Sequence, residues 1–238
     1  MDVRKSASRK GTALTDGSVG SARYYTRDFW GKENLKFVKS HFRMEKASRI
    51  INAIAQGKES DLLDVGCGPA TLVHLLDKNI HYYGIDIAIR EPGPNLIEAD
   101  LLNTPIAFGD RLFDIVLAQG FFEYIGTFQS QKFAEISSLL TDNGKFIVSY
   151  WNFGHRDKYI YPPFSNIQSY GEFRKSLERH FTIDNSFPVG HNWHQHEPGR
   201  PKFMKAAQMR VNVNIPFISP VLAVEYFFIC SRYGPKRV

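Results

Sequence analysis

The chain has 238 residues, 43% of them hydrophobic and 23% charged, which suits one soluble α/β unit of ordinary composition. Its formal charge is +6, but Arg4, Lys5, Arg9 and Lys10 open the chain and Lys236 and Arg237 close it. Much of the excess therefore sits in tails, and no interior run alternates basic residues with aromatics as a nucleic-acid surface would. No stretch approaches the 18 apolar residues of a membrane span. No apolar run follows the N-terminal charges, so a signal peptide is not expected. Cys67 and Cys230 do not form a disulfide framework, and a cytoplasmic, reducing setting is the expectation.

Residues 1–21 are rich in Ser, Gly, Lys and Arg and read as a disordered tail. An aromatic cluster follows: Tyr24, Tyr25, Phe29 and Trp30. The spacing of Leu35, Val38, Phe42, Ile50, Ile51 and Ile54 predicts a helix from about Glu33 to Ile54, ended by Gly57. Strand and helix then alternate. Leu62 to Val65 is a short buried strand, and Pro69 opens a helix through Leu76. His81 to Ile87, Asn95 to Glu98, Phe113 to Ala118 and Lys145 to Trp151 read as strands. Residues 129–140 and 167–180 read as helices, Phe181 to Ile183 as a strand and Val221 to Cys230 as a last apolar strand. Residues 188–218 read as an irregular insertion. The alternation implies βαβ units and a doubly wound, mainly parallel sheet. The expected organisation is one domain over 22–238. It comprises an N-terminal helical lid (22–57), a ligand-binding core (58–151) and a region contributing the second substrate's side (152–238).

The first βα turn is Asp64-Val65-Gly66-Cys67-Gly68-Pro69-Ala70. Such a turn is where a nucleotide-like ligand sits in a doubly wound sheet. Gly66 and Gly68 permit a tight bend and a close backbone approach. Asp86 ends the next strand, 22 residues after Asp64, where a carboxylate accepts from ribose hydroxyls. Asp100 and Leu101 follow the third strand, and Gln119, Gly120 and Phe121 follow the fourth. Each Asp alone reads equally as a helix cap. Four such features at the carboxyl ends of consecutive strands point to a ligand site.

These segments resemble the class I, Rossmann-like S-adenosylmethionine-dependent methyltransferase superfamily, over about residues 60–150. Leu62 to Gly68 is similar to its first motif, Tyr83-Gly84-Ile85-Asp86 to its ribose motif and Glu98-Ala99-Asp100-Leu101 to its adenine-side motif. Phe113 to Ala118 and Gly144 to Val148 are similar to its fourth and fifth strands. The resemblance implies a seven-stranded sheet with an antiparallel last strand. It also implies S-adenosylmethionine as methyl donor and S-adenosylhomocysteine as product. The implied cofactor contacts are Asp64, Gly66, Cys67, Gly68, Asp86, Ile87, Asp100, Leu101, Gln119, Gly120 and Phe121. Ala70 stands where the family often has a further glycine. The dinucleotide fingerprint G-x-G-x-x-G would need glycine at position 71, which is Thr71, so a nicotinamide enzyme is disfavoured.

The acceptor is less legible. Gln119-Gly120-Phe121-Phe122 is unlike the Asn-Pro-Pro-Tyr type of sequence, which favours a small-molecule oxygen or nitrogen acceptor. An RNA or protein methyltransferase and a non-catalytic cofactor binder stand as alternatives. Candidate catalytic groups are His155 after the fifth strand, Glu123 after the fourth, and His191 in His191-Asn192-Trp193-His194-Gln195-His196. That histidine run lacks a second group at ligand spacing, so no metal is expected. Arg43 either pairs with the methionine carboxylate or lies on the surface.

Overall fold

A computed structural model describes residues 24–152, 168–192, 208–209, 215, 217–219 and 223–233. The chain opens with helix α1 (Arg27–Glu33), a 3-10 turn (Asn34–Phe37) and helix α2 (Phe42–Ala55). Strands β1 (Ser60–Val65), β2 (Ile80–Asp86), β3 (Leu96–Glu98) and β4 (Phe113–Ala118) follow. Then come α3 (Gln129–Leu139), β5 (Leu140–Trp151), α4 (Tyr170–Leu177), β6 (Phe181–Asn192), β7 (Gln208–Met209) and β8 (Ala223–Arg232).

The sheet order is β3-β2-β1-β4-β5-β8-β6-β7. Pairs β1–β2, β2–β3, β1–β4 and β4–β5 are parallel, while β8 runs antiparallel to both β5 and β6. The mainly parallel seven-stranded sheet with an antiparallel last strand is thus present, and the two-residue β7 extends its edge. The order reverses between β1 and β4, the switch point at which open α/β sheets bind ligands.

Successive strand residues face opposite layers, and both faces are buried. Leu62, Ile115, Leu117 and Ile147 pack with Ala47 and Ile51 of α2 on one face. Leu63, Val116, Phe146 and Val148 pack with Phe133 and Ile136 of α3 and Phe173 and Leu177 of α4 on the other. Phe122 stacks on Phe133 with ring centroids 4.3 Å apart, and Tyr150 on Phe173 at 3.8 Å. Among the described residues no helix is long and apolar enough to cross a membrane.

Four elements differ from the sequence expectation, the first being β5, which starts at Leu140 rather than Lys145. The helix expected from Glu33 to Ile54 is broken, with His41 extended at φ −137° before α2 begins. The Thr71 hydroxyl donates to the Phe37 carbonyl at 2.7 Å, capturing the acceptor that a continuous helix would offer to residue 41. The helix expected from Pro69 to Leu76 is only a 3-10 turn over Thr71–Leu75, entered through Ala70 at φ +55°. Only its first two residues, Thr71 and Leu72, are buried, while Val73 stays partly exposed, so too little apolar surface is covered to sustain a longer helix. Strand β6 runs past Ile183 to Asn192, through register shifts at Ile183/Asn185 and around Pro188. Bulges admit Pro188, which has no N–H to give the ladder, and its carbonyl accepts from the Lys46 ammonium at 2.9 Å.

Candidate functional site

A cavity lies at the switch point, at the carboxyl ends of β1, β2 and β4, roofed by α1, the 3-10 turn after it and the start of α2. It holds ≈ 910 Å³ of empty space, counting its open mouth.

The glycine loop forms its floor. Gly66 N–H and Cys67 N–H both donate to the Ile85 carbonyl, at 2.8 and 3.3 Å, which ties the loop to the end of β2. Gly66 has φ +77° and Gly68 φ +54°, a region that favours glycine. A Cβ on Gly66 would come within 3.2 Å of the Phe121 side chain, and one on Gly68 within 3.3 Å of Asn34 Oδ1. The loop backbone is therefore packed tightly against two walls of the cavity.

Asp86 is buried at the end of β2 and is the hub of the next wall. Its carboxylate accepts from Gly68 N–H at 2.9 Å and Ala88 N–H at 2.8 Å, and from the Asn34 amide at 3.4 Å. Burial raises its pKa, and these donors pull it back down. Asn34 also donates to the Ala88 carbonyl at 3.1 Å, so it fastens the N-terminal segment over the loop. Ile87 and Leu101, both buried, complete this side. Asp64 lines the floor with Tyr82 donating to it at 2.8 Å. Burial pushes its carboxyl up to about 7, with the Tyr82 hydrogen bond working downward and the Asp86 charge upward.

The opposite end holds an ion-paired arginine. Arg43, at the start of α2, donates to the buried Glu225 carboxylate of β8 at 2.5 Å and approaches Gly120, where a Cβ would meet its Nη2 at 3.2 Å. Arg43 Nε and Gln119 Nε2 are buried with no hydrogen-bond partner among the described residues. His41 beside them is held neutral by burial first and by the Arg43 charge second, both lowering its pKa. Trp30 meets Tyr124 edge-on at 4.7 Å across the mouth.

The structure brings together Asp64, Gly66, Cys67, Gly68, Asp86, Ile87, Leu101, Gln119, Gly120 and Phe121 on one cavity. It places Asp100 off that wall. The Asp100 carboxylate accepts from Leu102 N–H at 3.0 Å and the Asn103 amide at 2.7 Å, capping its own turn. Glu123 also lies off the wall. It is 2% exposed, and its Oε1 accepts from Trp151 N–H at 2.8 Å, pinning the end of β5, while Oε2 has no partner. Burial, with the Glu225 charge second, pushes the Glu123 carboxyl up to about 7. His191 lies in β6 with its backbone opposite Met209 and Ala223, and its side chain falls outside the described residues, as do His155, His194 and His196. The sequence reading missed Asn34 and His41 as cavity residues and left Arg43 open, while Tyr25 and Trp30 of the aromatic cluster do line the cavity. Only the aromatic cluster at 24–30 signalled that the N-terminal segment would cover the site.

A doubly wound sheet with a glycine loop at its switch point and a buried carboxylate at the end of β2 defines a Rossmann-like architecture. More particularly, residues 40–209 match the family described as Methyltransferase domain, and the chain belongs to that family. No curated protein matches the sequence. Among solved structures the fold is similar to a TehB-like SAM-dependent methyltransferase from Corynebacterium glutamicum. That likeness has TM-score 0.55 and 15% identity, and covers 91% of this chain and 100% of that one. It is also similar to 1,6-didemethyltoxoflavin-N1-methyltransferase from Burkholderia thailandensis, with TM-score 0.58, 15% identity and coverage of 96% and 94%. A third is the CcbJ methyltransferase from Streptomyces caelestis, with TM-score 0.56, 11% identity and coverage of 80% and 90%. At these identities the likeness is one of fold.

Proposed function

We propose that this methyltransferase uses S-adenosylmethionine and delivers the methyl group to an oxygen or nitrogen of a small-molecule acceptor. The observation that carries the donor is the layout of the cavity, with the buried carboxyls of Asp64 and Asp86 at one end and the two unpaired donors Arg43 Nε and Gln119 Nε2 at the other. A nucleoside with a zwitterionic amino-acid tail matches that layout. Asp86 receives the ribose hydroxyls, Leu101 and Ile87 flank the base, and the glycine loop runs under the sulfonium. Asp64 faces the ammonium. The two orphan donors, Arg43 Nε and Gln119 Nε2, take the methionine carboxylate, which ends the unfavourable state of buried unpaired N–H groups.

When bound, the donor supplies an electrophilic methyl. The acceptor's lone pair forms the new bond as the carbon–sulfur bond breaks, sulfur keeps that electron pair, and the acceptor's proton leaves to solvent or a nearby base. The protein's share is to align the reactants and exclude water. Trp30 and Tyr124, in edge contact on the cavity wall, supply apolar cover for that purpose. Glu123 holds the end of β5 and so acts as a positioning residue, while His155 and His191 remain the proposed proton acceptors. A small-molecule acceptor is supported by the toxoflavin-type relative, whose name specifies a heterocyclic substrate. Calorimetry with S-adenosylmethionine, S-adenosylhomocysteine and NAD tests the donor. Micromolar binding of the first two and none of NAD is expected, and a preference for NAD overturns it. Transfer of labelled methyl to a small-molecule extract, but not to RNA or protein fractions, tests the acceptor class.

A further inference from the structure

Asp64 of β1 and Tyr82 of β2 form a buried pair. Their strands are in parallel register, with Leu62 beside Tyr82 and Asp64 beside Gly84. Cys67 and Leu96 fill the place beside Gly84, where a Cβ would meet Cys67 Sγ at 2.8 Å and Leu96 Cδ2 at 2.9 Å. The Tyr82 hydroxyl donates to Asp64 Oδ2 at 2.8 Å, joining β2 to β1. Asp64 is 5% exposed and Tyr82 8%. No other hydrogen bond to the Asp64 side chain is found among the described residues.

We propose that Tyr82 is a positioning residue that favours the ionised form of Asp64 for the cationic end of the methyl donor, so that donor binding is coupled to the charge state of Asp64. The proposal rests on the donor reading above.

A buried carboxylate is stabilised as an anion by a hydrogen bond donated to it, and by a nearby cation. The groups facing Asp64 are few. From the loop comes Cys67, whose thiol burial keeps neutral, and from β2 come Tyr82 and Asp86. From β4 the paired residue is Leu117, which is apolar. Across the cavity stand His41, which burial keeps neutral, and Arg43, which Glu225 already neutralises. Among the described residues no unpaired cation therefore stands beside Asp64 before the donor arrives. In that state its carboxyl titrates at about 7, and the Tyr82 hydroxyl is the favourable contribution opposing its burial. An ammonium or sulfonium placed beside it completes the ionisation and displaces the remaining proton.

The test compares wild type with Tyr82→Phe, which keeps the ring and its packing. The ratio of their dissociation constants for S-adenosylmethionine is measured by calorimetry at several pH values. Titration of the free ligand cancels in that ratio. Removing the hydroxyl makes Asp64 a weaker acid. If its acid constant falls about tenfold, the variant should bind about tenfold more weakly at pH 6 and almost equally at pH 9. A ratio that is the same at all pH values means a packing defect only and overturns the proposal. Wild type alone supplies a second reading in buffers of different ionisation enthalpy. Binding at pH 7 should release about half a proton, since a group titrating there is half protonated, and Asp64→Asn should abolish that release. Release that persists in Asp64→Asn, or none in wild type, also overturns the proposal. Absence of any S-adenosylmethionine binding overturns the donor reading along with it, whereas binding with a flat ratio overturns the Tyr82 role alone.

Discussion

Asp86 sits where backbone N–H groups of two loops converge, with Gly68 on one side and Ala88 on the other. Those donors orient its two oxygens whether or not a ribose is present. Asp86→Ala removes charged acceptors for the sugar hydroxyls, and affinity for S-adenosylhomocysteine should fall by about 1–3 kcal/mol, roughly 5- to 150-fold. An unchanged calorimetric affinity removes Asp86 from the ribose. Arg43 needs a different design, because truncating it leaves Glu225 as a buried unpaired charge. Replacing both, as Arg43→Gln with Glu225→Gln, avoids that. The double variant should bind S-adenosylmethionine about tenfold or more weakly, as loss of a charged hydrogen bond implies. Its affinity for 5′-methylthioadenosine, which lacks the amino-acid end, should be unchanged. Equal losses for both ligands would place Arg43 away from the methionine carboxylate.

At the scale of elements, the parallel core was legible because its strands are short apolar runs ending in functional residues. Leu62–Val65 and Phe113–Ala118 needed no tertiary knowledge. The cavity floor was legible for the same reason: Gly66, Gly68 and Asp86 act through backbone shape and strand ends. The roof was not. Asn34 reaches Asp86 across 52 positions of sequence, and nothing in its neighbours marks it. Nor does periodicity foresee that Thr71 takes the Phe37 carbonyl and splits one expected helix into two. That same bond ties the roof to the turn after the glycine loop. Thr71→Val should therefore loosen the segment from α1 to residue 41, costing about 1 kcal/mol locally. Hydrogen exchange should report faster opening of residues 27–41 with little change in β1 or β4. Uniformly faster exchange, or none, would mean that the bond does not anchor the roof.

Over the whole molecule, the site leaves an imprint on stability. Asp64 and Glu123 are buried carboxyls that titrate at about 7 in the folded chain, whereas exposed ones titrate near 4. Between those values the folded state holds protons that the unfolded chain has released. Stability contributed by each group is therefore greatest below about 4, falls as pH rises toward 7 and is level above it. His41 and His180 act in the opposite sense, since burial lowers both and their contribution is lost as pH falls below the unfolded value. A comparison with Glu123→Gln cancels the histidines. Glutamine keeps an oxygen for Trp151 N–H and places an uncharged amide where Oε2 has no partner. From pH 5.5 to pH 8 wild type gives up the proton on Glu123, and the variant has none to lose. The variant should therefore gain on wild type by on the order of 1–2 kcal/mol over that interval. Urea midpoints at the two pH values check it. A gap that does not move means Glu123 is ionised throughout that range, and the buried charge at the end of β5 must then be balanced by Arg43 rather than by a proton.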